Sequence, residues 1–315
     1  MHQNALITYL LFQNYLMFPI VFSSSQSFSS GSNFVILGTL FMSCIATSDG
    51  GGLFVSSSNS YVKIDGCSFI SCKTIGNGGG FFCNSNICET NNCCYQYCDS
   101  KLGSSMYTSC SFNSNIRSSC SFGNSSSAGS FLLSGSDTNF LYGNVSFHHS
   151  DNQVTLLYVT SQTKHKCSYG SFVHSKDSSG CSFTIHYSKD SVLEYSNIYN
   201  ISSGQQYSLI FFGWNSRVRV ENCLLYKSTH PKGFEEYSNT NGQFYEFIGC
   251  SVNFPLSDFG SWNTSGSIYS LSATYVQPVG NNHYDCNIYI GPATENKKFN
   301  TKGFLSQIVY LLFSQ

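Results

Sequence analysis

Charge is what this chain has least of. Across 315 residues only 10% are Asp, Glu, Lys or Arg, and the formal net charge is −1, where a typical soluble domain carries about 25%. No basic patch is available to neutralise phosphates, which argues against nucleic acid as a partner. Helix-forming composition is missing too, because bundles and coiled coils need roughly half Ala, Glu, Lys, Leu and Arg. No window shows a sustained 3.6-residue apolar period with caps at both ends. Proline (5), methionine (4) and tryptophan (2) are scarce. The C-terminal apolar run from Phe304 to Phe313 falls short of the ~20 residues of a spanning helix, so a membrane anchor is not evident in this chain.

What fills the chain is Ser, Asn, 27 Gly, 27 Phe, 21 Tyr and 15 Cys. Its 41% hydrophobic content is enough to bury a core, which sets it apart from a disordered polar tract. The odd cysteine count forbids complete pairing within the chain. The N-terminal stretch Leu6 to Phe22 followed by a Ser run reads as a signal-like or capping segment over residues 1–30. A solenoid body is expected over 31–290 and a C-terminal cap or tail over 291–315.

The body assignment rests on an internal repeat. Gly38-Thr39-Leu40-Phe41-Met42-Ser43-Cys44 is followed by Gly50-Gly51-Gly52-Leu53-Phe54. Gly66-Cys67-Ser68-Phe69-Ile70-Ser71-Cys72 is followed by Gly78-Gly79-Gly80-Phe81-Phe82. Every matched position lies 28 apart. A looser copy runs from Cys94 through Cys98 to Tyr107, and eroded copies include Asn144-Val145-Ser146, Gly180-Cys181-Ser182-Phe183, Asn222-Cys223-Leu224 and Gly249-Cys250-Ser251. Each copy parses into three short strands and three Gly, Ser or Asn corners, with Ser56 to Ser60 as a polar turn between two of the strands. Propeller blades need about 40–45 residues. The expected fold is therefore all-β, a right-handed parallel β-helix of about ten irregular coils. Phe41 should lie over Phe69, and Leu53 and Phe54 over Phe81 and Phe82.

The repeated Phe-x-x-Cys (Phe41 to Cys44, Phe69 to Cys72) and Gly-Gly-Gly-[Leu/Phe]-Phe resemble the Cys-rich β-helix surface proteins of trichomonad protists. They are more distantly similar to the repeats of chlamydial polymorphic outer-membrane proteins. The strong motifs cover residues 38–107. This resemblance implies a cell-surface or secreted location and an adhesive or antigenic role, with host or cell-surface glycans or proteins as partners.

Catalytic constellations are sparse. Glycoside hydrolysis wants two carboxylates flanking a groove, and the one adjacent pair, Glu235-Glu236, reads as a solvated loop. Asp49, Asp65 and Asp99 would have to stack at one corner to hold calcium. His148-His149 beside Asp151 lacks a second carboxylate or thiol ligand and reads as a partly exposed corner. Arg217-Val218-Arg219 puts two cations on one strand face, and Trp214 and Trp262 suit sugar stacking or core packing. No catalytic residue, cofactor or metal is expected. The alternative kept open is a glycan-binding or polysaccharide-active β-helix.

Cysteine is the sharpest local feature. Cys83, Cys88, Cys93 and Cys98 recur every five residues, with Cys94 beside Cys93. These spacings sit at the margin of the Cys-x₂₋₄-Cys of structural zinc sites. Cys44, Cys72 and Cys98 occupy equivalent places in successive copies and should form a column. With Cys67, these thiols read as a buried ladder, a set of disulfides between coils, or both. Four sequons, at Asn124, Asn144, Asn200 and Asn263, are candidate N-glycosylation sites.

Overall fold

The computed structural model describes residues 20–30, 33–150, 154–177, 181–187, 189–201 and 209–212, and shorter stretches at 217–227, 234–236, 244–253, 255, 263–265 and 269–270. Compact units divide at 284/285; the second unit, which contains the expected 291–315 tail, lies outside the described residues. So do residues 1–19, and with them most of the signal-like segment.

The chain is an all-β parallel β-solenoid of about seven turns, and the described residues contain no helix. None is therefore long and apolar enough to cross a membrane. Every pairing is parallel. Short strands stack into an eleven-stranded sheet, and the remaining strands form a 20-stranded one. Regular turns number about seven rather than the ten expected. The solenoid also begins inside the segment assigned to a leader or cap. Ile20–Phe22 pairs with Thr39–Met42, and Gln26–Phe28 pairs with Leu53–Asp65.

One turn explains the rest. Ser68–Ile70 is a short strand whose middle residue, Phe69, points inward. Ser71 takes a left-handed φ of 53° and turns the chain into Cys72 and the two-residue strand Lys73–Thr74. A Gly loop leads to the long strand Phe81–Asn91, and Asn92, with φ 52°, turns into Cys93 and the next short strand. The Gly triplet is required by close approach: a Cβ on Gly79 would collide with the carbonyl oxygen of Ser104 in the next turn, and Gly78 itself has φ +70°. Turn length is 28 residues between the paired Phe41 and Phe69 and 25 between Tyr95 and Cys120, and shorter at the first pairing, where Phe22 and Phe41 are 19 apart.

The expected stacking holds. Phe41 pairs with Phe69, Leu53 with Phe81 and Phe54 with Phe82. Phe41 and Phe69 rings lie 4.7 Å apart and 2° from parallel, and Phe69 stacks on Tyr95 at 5.0 Å. Like residues at like places share the coil spacing of about 4.8 Å, which is also a favourable ring separation.

Two readings are corrected. Leu53–Asp65 is one 13-residue strand, with only a register shift between Ser57 and Tyr61 where a turn was expected. Strand hydrogen bonding to the neighbouring coil carries the backbone through the bend. Gly180-Cys181-Ser182-Phe183 is not a copy of the short-strand motif. Cys181–His186 belongs to the larger sheet, with Cys181 opposite Val154 and Phe183 opposite Leu157.

Candidate functional site

Seven cysteines share one local structural explanation. From Gly38 to His174 the short strands are flanked by two left-handed corners five residues apart, and the residue after a corner is buried and in most cases small. Cys44, Cys67, Cys72, Cys93, Cys98, Cys223 and Cys250 all stand there. Each thiol donates to the carbonyl two residues back, and also reaches a carbonyl of the preceding coil. Cys72 Sγ lies 3.7 Å from Ile70 O and 3.4 Å from Phe41 O, and Cys98 lies 3.6 Å from Gln96 O and 3.4 Å from Phe69 O. Thr39, Ser175 and Ser196 make the same bond to the residue two back. Cysteine here is a small buried group with a weak donor. Burial raises the Cys67 thiol to about 11.

The five-residue cysteine spacing therefore divides into two places. Cys93 and Cys98 are the corners around one short strand. Cys83 and Cys88 flank the bend in Phe81–Asn91, where the inward positions slip from 81, 83 and 85 to 88 and 90. That slip turns both sulfurs inward in one coil, and Cys110 of the next coil joins them. The three sulfurs all lie within 4.8 Å of one another, all buried. Cys83 and Cys110 Sγ are 3.9 Å apart, and the Ser85 hydroxyl is 3.2 Å from each. The neighbouring Cys83 and Cys88 thiols pull the Cys110 thiol below its ordinary range, while they are themselves pushed up. None of these ten cysteines is disulfide-bonded. Cys94, on the outward side of its short strand, is disulfide-bonded.

The outer corners carry a second pattern. Asn and Gly fill some left-handed positions, but the middle of the solenoid uses rings. Tyr97, Phe122, Phe147 and His174 form one stacked column, with centroids 5.0, 5.0 and 5.3 Å apart. Tyr142, Tyr169 and Tyr195 form the other, at 4.9 and 5.2 Å, with the Arg117 guanidinium 6.0 Å from the Tyr142 ring. These rings are exposed, Phe147 by 50% and Tyr97 by 48%. The short strands run between the columns. Their middle residues point inward, so Ser121, Asn144, Ser146 and Ser171 face outward as a strip of hydroxyls and amides. Sequence reasoning missed both columns. Their signal was a ring or Arg five residues from another, each followed by Gly, Ser, Cys or His, as in Tyr142-Gly143 and Phe147-His148.

At the bend of the long strands lies an open groove of about 740 Å³. Ser85, Ser109, Cys110, Ser134, Thr160 and Lys189 are among its lining residues.

The remaining candidates fall apart from one another. His148 is buried, not partly exposed. It occupies a corner place equivalent to Cys98, lies 3.4 Å from the hydroxyls of Ser104 and Ser125, and is pushed down to about 3 by burial. Asp49, Asp65 and Asp99 do not share a corner. Asp49 accepts from the Asn77 amide, Asp65 from the Asn92 side chain, and Asp99 is 4.0 Å from Lys73. Glu235 and Glu236 lie on the strand Phe234–Glu236 rather than in a loop. Arg217 and Arg219 are exposed on one face, and Arg219 pairs with Glu221 at 3.1 Å. Asn144 is on the outward strip, and Asn124 contacts Asp99 at 3.5 Å. Asn200 and Asn263 lie on the strands Asn197–Ile201 and Asn263–Ser265. Trp214 and Trp262 lie outside the described residues. No family model, curated protein or solved structure matches the chain, which stands as a cysteine-rich parallel β-solenoid.

Proposed function

We propose that this chain is a non-catalytic surface or secreted protein that acts by adhesion or antigenic display, and that its short-strand face is the contact surface. The observation that carries this is the pair of exposed ring columns bordering a Ser/Asn strip. Tyr and Phe offer rigid, amphipathic contact area at low entropic cost, and Ser and Asn offer adaptable hydrogen bonds, the combination used by binding surfaces of immune receptors. The sequence resemblance to protist surface proteins supports the same role. Glycans or proteins of a host or cell surface are the partners.

The groove supports a second reading, a glycan-binding β-helix, since its hydroxyl lining suits a polyhydroxylated chain. One set of measurements separates the two. Purified protein is assayed for binding to cell surfaces and immobilised glycans, beside variants Tyr142→Asn/Tyr169→Asn/Tyr195→Asn and Ser134→Tyr. Asn tolerates left-handed corners, so the triple variant keeps its backbone. The first reading expects at least a tenfold loss of binding in the triple variant and none in Ser134→Tyr. The reverse pattern supports the groove. Release of reducing sugar from pectin or mucin glycans would overturn the non-catalytic role.

A further inference from the structure

Seven buried thiols sit at corners where a backbone hydrogen bond accounts for them. Cys83, Cys88 and Cys110 do not. At the place of Cys83 the neighbouring coils carry Val55 and Thr108, at that of Cys88 they carry Val62 and Asn113, and at that of Cys110 they carry Ser85 and Gly135. Nothing in the repeat requires sulfur at any of the three, yet all three converge. Among the described residues they form the only such group of potential metal ligands.

The dimensions suit one metal ion. Four tetrahedral ligands around zinc, with Zn–S near 2.3 Å, place sulfurs about 3.8 Å apart and a hydroxyl oxygen about 3.6 Å from each sulfur. The observed Sγ–Sγ distance for Cys83 and Cys110 is 3.9 Å, and Ser85 Oγ lies 3.2 Å from both sulfurs. Cys110 and Ser85 also line the groove, which supplies the entry path a buried site needs. Thiolate-rich sites select zinc or monovalent copper among common ions; an oxygen donor in the fourth position favours zinc.

We propose that Cys83, Cys88, Cys110 and Ser85 bind one zinc ion through three thiolate sulfurs and the Ser85 hydroxyl oxygen. Binding releases three thiol protons to solvent, leaves the hydroxyl protonated, and ties two consecutive coils together at the bend. The site does not depend on the adhesive role.

The test uses the full chain, purified with a reductant and freed of metal, then titrated with Zn²⁺ against a chelator of known affinity. The expected result is one tightly held equivalent, with X-ray absorption showing three sulfurs and one oxygen. Cd²⁺ in place of zinc should add a sulfur-to-metal charge-transfer band. Cys110→Ser should weaken Zn²⁺ at least a hundredfold, and Cys98→Ser, at a corner, should leave it unchanged. Cys88→Val places the side chain that the preceding coil carries at this position, so it serves where Cys110→Ser fails to fold, and it should lose the ion likewise. Equal Zn²⁺ affinity in Cys98→Ser and Cys110→Ser would overturn the proposal. So would a Cys83–Cys110 disulfide in unreduced, alkylated protein, or Cu⁺ held by three sulfurs in a chain that retains no zinc.

Discussion

His148 and His165 are the two imidazoles that burial pushes down to about 3. His165 bonds Thr138 at 2.8 Å through Nδ1, and its Nε2 has no partner. His148 has only two long hydroxyl contacts and the neighbouring His149 charge, which lowers it further. Their folded pKa values lie below the unfolded value near 6.5, so the unfolded state binds more protons between about pH 3 and 6.5. Stability is therefore unaffected above that window and falls as pH drops through it. At pH 5 the cost is about 2 kcal/mol for each histidine. Burial also pushes His186 down to about 4, so urea midpoints measured from pH 7.5 to 5 should fall, and His165→Gln should remove about a third of the slope. A flat wild-type profile over that range would show that neither imidazole is excluded from water. At the same scale the thiols need no redox role to be retained, since Ser175 and Ser196 make the corner bond of Cys98 and Cys223 with an oxygen.

The corner columns set two opposing energies against each other. A non-Gly residue in the left-handed region costs about 1–2 kcal/mol, and each stacked ring pair returns about 0.5–1.5 kcal/mol. Tyr169 has rings on both sides, at 4.9 and 5.2 Å, so the two terms nearly cancel. Tyr169→Asn, which trades stacking for a residue tolerant of positive φ, should change stability by less than about 1 kcal/mol. Tyr169→Ala, which loses the stacking and keeps the strain, should cost about 1–2 kcal/mol. Equal losses in the two variants would mean that strain is absent from the corner. This element was only partly legible in the sequence. Phe41, Phe69, Cys44 and Cys72 repeat letter for letter, so the coil register could be read from them. Beyond Tyr107 the register survives in geometry alone. Cys98, Gly123, His148 and Ser175 share one place because what the corner demands is a residue that fits there, and Gly, Cys, Ser and a buried His all do. The convergence of Cys83, Cys88 and Cys110 was hidden for a different reason. It depends on a one-residue slip inside a strand and on a partner one coil away, neither of which a spacing within one copy records.

At the scale of the whole solenoid, each coil meets chiefly the coils before and after it, so stability is close to a sum of neighbouring terms. The corners, the inward core and the outer columns repeat together, and a coil is exchangeable only as a complete period. Cys120 and Val145 are paired partners 25 residues apart. Deleting residues 119–143 joins Ser118 to Asn144, a junction at the same corner place. Val145 then falls over Tyr95, and Phe147 takes the column place above Tyr97. The coil lost carries Phe131 and Phe140 from the core, so the shortened chain should be less stable, with a smaller denaturant slope because less surface is exposed on unfolding. It should still show the parent β-sheet circular dichroism and one cooperative transition. Deleting residues 119–138 instead removes a fragment of a period. It brings Asn139 into the short strand and shifts every later corner by five residues, so buried Phe and exposed Tyr exchange places with hydroxyls. That chain should fail to give a soluble folded product. If both deletions fold equally well, the coils are not held by register. If the 25-residue deletion alone fails, the coil 119–143 makes contacts that its neighbours do not replace.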